Sequence, residues 1–113
     1  MDYKLTTPCN NCPFRREGFI PLRAGRVREI ARGMLTNPGH EFACHKTTKG
    51  GHIISGSQHC AGALIFAEKN NAATQMMRIS ERLRCYDRKA LASDDLVFDN
   101  VAEMAKAHKD GFE

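Results

Sequence analysis

The spacing of the cysteines constrains this chain more than any other feature of its sequence. Cys9 and Cys12 form a C-x2-C pair near the first residue, and Cys44 and Cys60 follow as isolated thiols. The total of five cysteines is odd, which argues against a complete set of disulfides. In a reducing compartment, clustered thiols are more often metal ligands or reactive groups. We therefore expect the N-terminal pair to face the two later thiols in the folded chain.

The length of the chain predicts a single domain. A sequence of 113 residues can form one core with little surplus, so a bound metal would help to stabilise it. We expect residues 1–66 to form a metal-binding part and residues 67–113 a helical C-terminal part of this domain. The sequence starts without an apolar leader segment, and no run of about 18 apolar residues occurs in it. These features predict a cytoplasmic protein that does not enter a membrane.

Hydrophobic periodicity predicts a mostly helical α+β domain. Helices are expected after Pro21 up to Asn37, from about Cys60 to Lys69, along the segment that carries Met76, Ile79 and Leu83 on one face, and from about Asp99 to His108. A strand near Phe42, a turn at Lys49–Gly51 and a return strand through Ile53 and Ile54 predict one β-hairpin. The predicted fold is a small α+β domain with one β-hairpin and an N-terminal cysteine knuckle, held together by a metal.

The hairpin would explain how the later thiols join the first pair. Cys44 and Cys60 bracket it, and the two ends of a hairpin lie side by side, so that four sulfurs could surround one tetrahedral metal ion. The start of a helix would also lower the pKa of Cys60, and the thiolate is the form that binds metal. The alternative is that Cys44 and Cys60 are small buried core residues.

Two histidines adjoin the later thiols. His45 follows Cys44 and His59 precedes Cys60. Because neighbours on a strand point to opposite faces, both histidines are expected to support the ligands from outside or to pack in the core. A site of three cysteines and one histidine stays an alternative, and Cys85 is expected to be a structural or surface thiol. Exposed positions are expected for the other histidines, His40, His52 and His108.

The cysteine spacing leaves the kind of site open. Four thiolates suit zinc and an iron–sulfur cluster equally well. The proline after Cys12 is typical of ferredoxin-type runs, whereas the wide separation of Cys12, Cys44 and Cys60 is typical of structural zinc. We favour Zn²⁺ in a non-enzymatic module, with a [4Fe–4S] protein for redox or oxygen sensing as the alternative. A CxxC thiol oxidoreductase is a lesser alternative, since few residues precede the pair. Motifs of hydrolytic and phosphoryl-transfer enzymes are absent from the sequence.

The positive charge of the chain is concentrated in its first half. Residues 1–57 carry nine Lys or Arg against four Asp or Glu, whereas residues 58–113 carry eight against nine. A basic edge of this kind fits nucleic acid or an acidic protein, and a merely solvated face is the alternative. The residues predicted to make this contact are Arg15, Arg16, Arg23, Arg28 and Arg32.

Three runs of the sequence resemble a family of small, functionally uncharacterised proteins of bacteria and their phages. They are PCNNCPFRR, FACHKTTKG and HCAGALIF, and together they span Pro8 to about Phe66. The family is marked by a PCxxCPFR-like start, a CHK or CHQ element and a Cys-Ala-Gly, after which an aromatic residue is common; Ala63 stands there in this chain. The resemblance implies no activity. It implies that the pattern is carried by Cys9, Cys12, Cys44, His45 and Cys60, and not by Cys85.

Overall fold

The computed structural model describes residues 3–36, 42–50, 52–91 and 94–112. Over these ranges the chain forms four α-helices, which are α1 (Ala24–Thr36), α2 (Ala61–Lys69), α3 (Gln75–Arg82) and α4 (Val101–Phe112). Single-turn 3₁₀ helices lie at His45–Thr47, Arg88–Ala90 and Asp94–Leu96. None of the helices in the described ranges is long and apolar enough to span a membrane.

Helix α2 lies in the core because nearly its whole surface is apolar. All residues from Ala61 to Ala67 are buried, and a helix that is apolar all round needs neighbours on every side. The ring of Phe66 packs on that of Phe14, with the centroids 5.3 Å apart. This contact joins α2 to the loop that carries the C-x2-C pair.

Helix α1 packs against α4. The apolar stripe predicted for α1 faces inward, because residues at helical spacing share one side of the helix. Helix α4 begins at Val101 because the side-chain oxygen of Asn100 accepts a hydrogen bond from the backbone N–H of Glu103 at 2.8 Å. The buried residues of the two helices are Val27, Ile30, Ala31 and Met34 in α1 and Met104, Ala105 and His108 in α4.

The predicted β-hairpin is wrong. In the described residues, strand pairing is limited to isolated bridges between Arg15 and Val97, Ala43 and His59, and Lys49 and His52. Lys49 and His52, on either side of the predicted turn, exchange backbone hydrogen bonds of 3.0 and 2.9 Å, while Gly51 lies outside the described residues. Because pairing stops at each bridge, the domain is mostly helical and not α+β.

Local hydrogen bonds explain why the hairpin does not extend. The chain leaves Cys44 in a 3₁₀ turn, in which the backbone N–H of Thr47 donates to the carbonyl of Cys44 at 2.9 Å. The return segment is equally unsuited to a strand, because Ile53 and Ile54 are 58% and 46% exposed. Ile53 and Ile54 thus suggested a strand because they are apolar and β-branched, but their side chains do not pack on the core.

The prediction of a metal-stapled fold is also corrected. Among the described residues, no three His, Cys, Asp or Glu side chains are placed as a group that could hold a metal ion. The elements are joined instead by a contiguous apolar core in which Cys12, Cys44 and Cys60 pack with Phe14 and Phe66. The fold therefore rests on buried apolar surface.

Helix α3 turns its predicted apolar stripe outward. Met76 and Ile79 in this helix and Leu83 directly after it are exposed, whereas Met77 is buried. The helix starts where the hydroxyl of Thr74 accepts a hydrogen bond from the N–H of Met77 at 3.1 Å. The sequence therefore predicted the helix correctly, but the periodicity did not identify which residue reaches the core.

Candidate functional site

The C-x2-C pair lies in a loop of two consecutive tight turns. The backbone N–H of Cys12 donates to the carbonyl of Cys9 at 3.1 Å, and that of Arg15 donates to the carbonyl of Cys12 at 3.0 Å. This folding turns peptide N–H groups toward the sulfurs. The N–H of Asn11 donates to the sulfur of Cys9, and those of Phe14 and Arg15 donate to the sulfur of Cys12. Such donors stabilise thiolates.

The sulfurs of Cys12 and Cys60 are in direct contact. They lie 3.5 Å apart, and both thiols are free. The hydrogen bond between them lowers the pKa of Cys12 and, together with burial, raises the pKa of Cys60 well above its usual value. The expectation of a lowered pKa for Cys60 is therefore wrong. The N–H of Ala63 in the first turn of α2 does act in that direction, but sharing a proton with Cys12 outweighs it.

A short antiparallel contact places Cys44 beside the entrance of α2. The N–H of Cys44 donates to the carbonyl of Gln58, and the N–H of Cys60 donates to the carbonyl of Phe42, both at 2.9 Å. Buried Ser57 fixes the turn below this contact. Its hydroxyl donates to the carbonyl of Thr47 at 2.9 Å and accepts from the N–H of Ile54 at 2.8 Å. The two isolated thiols are thus brought together by one bridge, although no hairpin forms.

Three of the thiols line one surface cleft. Cys9, Cys44 and Cys60 share its wall with Lys46, and its volume is about 350 Å³. Cys12 is fully buried next to Cys60. Burial raises the pKa of Cys9, the sulfurs of Cys12 and Cys44 add to this effect, and the Asn11 N–H and the Lys46 ammonium oppose it. Four thiols therefore influence one another around this cleft, although they do not form a metal-ligand group as they stand.

Gly62 allows α2 to approach the C-x2-C loop. A Cβ atom at this position would overlap the sulfur of Cys12 and lie 3.2 Å from the Cβ of Phe14. Only glycine leaves room for the sulfur of Cys12 beside the first turn of the helix. Sequence reasoning did not single out this residue, although the Cys-Ala-Gly run of the resemblance contained the signal.

The expectations for the histidines hold only in part, since His52 is exposed and His59 packs in the core as expected, whereas His45 and His108 differ and His40 lies outside the described residues. His45 is exposed. His59 is buried, and its ring stacks on Tyr3 with centroids 4.1 Å apart. His108 was expected to be exposed, but it is fully buried. Its position, four residues after Met104 in α4, would have indicated the inner face of that helix.

His108 connects three parts of the chain. Its Nδ1 accepts a hydrogen bond from the N–H of Leu22 at 2.9 Å, and its Nε2–H donates to the carbonyl of Pro13 at 2.8 Å. The first bond requires Nδ1 to be unprotonated, which fixes the tautomer. Burial lowers the pKa of this imidazole. Through these two bonds the neutral imidazole of His108 joins α4 to Pro13, which follows Cys12, and to Leu22 in the segment before α1.

The predicted basic edge divides into two groups. Arg15 donates to the carbonyl of Pro8 at 3.3 Å, and Arg16 forms ion pairs with Asp99 at 2.9 Å and Glu103 at 3.3 Å. Both side chains are thus engaged within the domain. Arg23, Arg28 and Arg32 are exposed on α1 or just before it.

Cys85 lies apart from the cleft wall. It is exposed after α3, and its thiol donates to the carbonyl of Leu83 at 3.7 Å. Its neighbour Arg84 has a φ of 61°, so the chain turns sharply here. This geometry makes Cys85 a suitable internal reference for experiments on the other four thiols.

Comparison with known proteins finds a family model that covers nearly the whole chain. Residues 4–112 match the model of a family of unknown function, DUF6283, so the match includes α3 and α4 as well as the cysteine segments. No curated protein and no solved structure matches the chain. The chain therefore belongs to the family of unknown function DUF6283.

Proposed function

We propose that Cys9, Cys12, Cys44 and Cys60 bind a single metal ion as a tetrathiolate site, with Zn²⁺ as the preferred ion. The observation that carries the proposal is the contact of 3.5 Å between the sulfurs of Cys12 and Cys60. Two sulfurs on one tetrahedral zinc ion, each about 2.3 Å from it, lie about 3.8 Å apart. The observed pair is close to this separation.

The same distance favours a single ion over a four-iron cluster. In such a cluster each thiolate binds a different iron at a corner of a cube, which holds the sulfurs farther apart than two ligands of one ion. The iron–sulfur protein is therefore the less favoured form of the proposal. A thiol oxidoreductase is disfavoured because the closest pair, Cys12 with Cys60, is buried away from any protein substrate.

The peptide N–H groups around the sulfurs support a negatively charged site. Asn11, Phe14 and Ala63 each donate to one of three sulfurs, and hydrogen bonds of this kind stabilise the charge on metal-bound thiolates. Arg15 and Lys46 add positive charge near Cys12 and Cys9. The protein thus offers compensation for the net negative charge that four thiolates and one divalent ion would have.

We propose that the site forms by side-chain movement alone. A change between staggered rotamers moves a cysteine sulfur by about 3 Å without moving the backbone. Cys9 and Cys44 already line the cleft that Cys60 adjoins. We propose that both sulfurs turn toward the Cys12–Cys60 pair when the ion binds.

The proposed module acts through its surface and not as an enzyme. Its proposed partner contact is the exposed pair Arg28 and Arg32 on α1, together with Arg23 just before the helix, and nucleic-acid phosphate is the partner that this charge favours. An acidic protein is the alternative partner, and the binding experiment has to distinguish it from nucleic acid. The cytoplasmic location, in which the thiols stay reduced, and the bacterial or phage origin implied by the resemblance belong to the same proposal.

Metal content tests the proposal directly. We expect protein purified without oxygen to contain one zinc ion per chain and to show no visible absorption band. Cys12→Ser should lose the ion, whereas the matched variant Cys85→Ser should keep it. Iron with sulfide and a broad visible band would show that the thiols hold an iron–sulfur cluster and not zinc. The absence of any metal from the wild-type protein would refute the proposal.

A further inference from the structure

A second surface cleft lies between the C-x2-C loop, the segment before α1 and the segment around Cys44. Its volume is about 260 Å³, and no thiol lines it. Pockets for whole drug-sized ligands are usually larger than about 300 Å³, so this cleft has room for a single ring system. The residues that line it are Asn11, Pro13, Ile20, Leu22, Phe42 and His45.

The wall of this second cleft is mostly apolar and partly open to solvent. Ile20 is 61% exposed, which is unusual for a large apolar side chain. The ring of Phe42 is fixed from behind, because it meets the ring of buried Phe14 edge-on with the centroids 5.3 Å apart. An aromatic ring and an accessible aliphatic side chain form a surface on which a flat ring can pack.

Two polar side chains complete the lining. The Nδ2 of Asn11 donates to the carbonyl of Gly18 at 3.2 Å, which orients the amide, and Oδ1 has no protein donor among the described residues. The imidazole of His45 is exposed and bonds to no other residue in the described part of the chain. An N–H edge that enters the cleft can therefore donate to the oxygen of Asn11. Apolar walls with a few polar groups of this kind fix the orientation of a ring.

Positive charge lies beside the second cleft. Arg23 directly follows the lining segment before α1, Lys46 directly follows His45, and both are exposed. Helix α1 starts after Arg23 and has no acidic residue in its first turn, so nothing there offsets the positive end of the helix. Exposed Arg28 lies about 6 Å beyond the start of the helix. A ring in the cleft that carries phosphate groups would thus place them near several cations.

We propose that the second cleft binds one unpaired nucleobase, and that the nucleic acid contacted by α1 is single-stranded. The inference rests on the proposed nucleic-acid contact and names the form of nucleic acid that makes it. Phosphate contacts serve duplex and single strand alike, whereas the bases of a duplex are paired and stacked and do not offer a free face. An aromatic ring and a negative charge recur together in every nucleotide, which matches the apolar cleft with its basic surroundings.

Three labelled probes of equal length separate the cleft from the phosphate contact. They are a short single strand, the corresponding duplex and a single strand without bases, each measured by fluorescence anisotropy. We expect the normal single strand to bind about tenfold more tightly than either of the others, because they offer phosphates but no free base. If the strand without bases binds as tightly as the normal strand, the cleft proposal fails while the phosphate contact stands. If none of the probes binds, the nucleic-acid partner itself is wrong.

Substitutions in the cleft test its role in the same assay. Ile20→Ser and His45→Ala should each weaken binding of the normal single strand about tenfold and leave binding of the strand without bases unchanged. The matched controls are Ile53→Ser, at a residue 58% exposed, and His52→Ala, because both residues are exposed and neither lines the cleft. If the cleft variants bind as tightly as their controls, the cleft does not hold a base.

An acidic peptide with a single phenylalanine tests the other class of partner, since it offers a ring and negative charge without a nucleobase. We expect it to bind wild-type protein more weakly than the normal single strand does. Tighter binding of the peptide, lost in Ile20→Ser but kept in Ile53→Ser, would assign the cleft to a protein partner and overturn the inference.

Discussion

Gly62 lies so close to the sulfur of Cys12 that the first turn of α2 and the C-x2-C loop leave no room for a methyl group between them. The approach explains how Cys60, two residues earlier, comes within 3.5 Å of Cys12. The helix start and the loop are thus fitted to each other at the thiol pair.

Gly62→Ala should weaken metal binding because the added methyl group separates α2 from the loop. Overpacking at such a site costs about 1–3 kcal/mol. Gly25→Ala is the matched control, since a Cβ at that helical position meets no atom within 4 Å and should stabilise α1 by about 0.5–1 kcal/mol. Urea unfolding and competitive zinc titration measure both effects. Unchanged zinc affinity in Gly62→Ala would show that the close approach is not needed.

Ser57→Ala should loosen the turn that positions Cys44. The substitution leaves the N–H of Ile54 and the carbonyl of Thr47 without their bonds to the Ser57 hydroxyl, which costs about 0.5–1.5 kcal/mol for each bond between partly buried groups. Ser55→Ala, at an exposed position of the same turn, is the control. The measurement is the urea midpoint of the metal-free protein. Equal midpoints for the two variants would contradict the structural role of Ser57.

His108 should make the stability of the protein depend on pH. Its pKa is lowered by burial, whereas in the unfolded chain it returns to about 6.5. Between the two values the unfolded state binds more protons, so stability is complete above about pH 6.5 and falls as the pH decreases through the folded-state value.

His108→Gln should be less stable than wild type at neutral pH because a hydrogen bond to Leu22 or Pro13 is lost. It should also lose the part of the pH dependence that the imidazole supplies. His52→Gln, at an exposed position, should keep it. Urea unfolding of the metal-free proteins at pH 7.5 and 5.5 provides the comparison. If stability falls between pH 7.5 and pH 5.5 by the same amount in His108→Gln as in wild type, groups other than His108 cause the pH dependence.

The cysteine spacing predicted which thiols meet better than periodicity predicted the fold. Cys44 and Cys60 are neighbours as expected, but a single bridge and the buried hydroxyl of Ser57 bring them together in place of a hairpin. Short apolar runs such as Ile53–Ile54 fit strand and loop equally well. The choice depends on tertiary contacts that the local sequence does not contain.

Long-range partners account for the other differences. Nothing near Arg16 in the sequence indicates its ion pairs with Asp99 and Glu103. The burial of His108 was readable from the inner face of α4, but its bonds to Leu22 and Pro13 were not. The proximity of the four thiols was predictable from their spacing, but the residues that orient them were not, and the role of the thiols as metal ligands stays a prediction.

The arginines of α1 give the last prediction. Arg28 and Arg32 lie one turn apart and are exposed, so reversing both charges should weaken nucleic-acid binding and make its dependence on salt less steep by roughly two phosphate contacts. Reversal of Lys106 and Lys109, two exposed cations of α4, is the control for net charge alone. Fluorescence anisotropy with a labelled oligonucleotide at several salt concentrations measures the slope. If both double variants weaken binding equally, net charge and not the α1 face attracts the nucleic acid; if wild type binds an acidic protein but no oligonucleotide, the partner class is wrong.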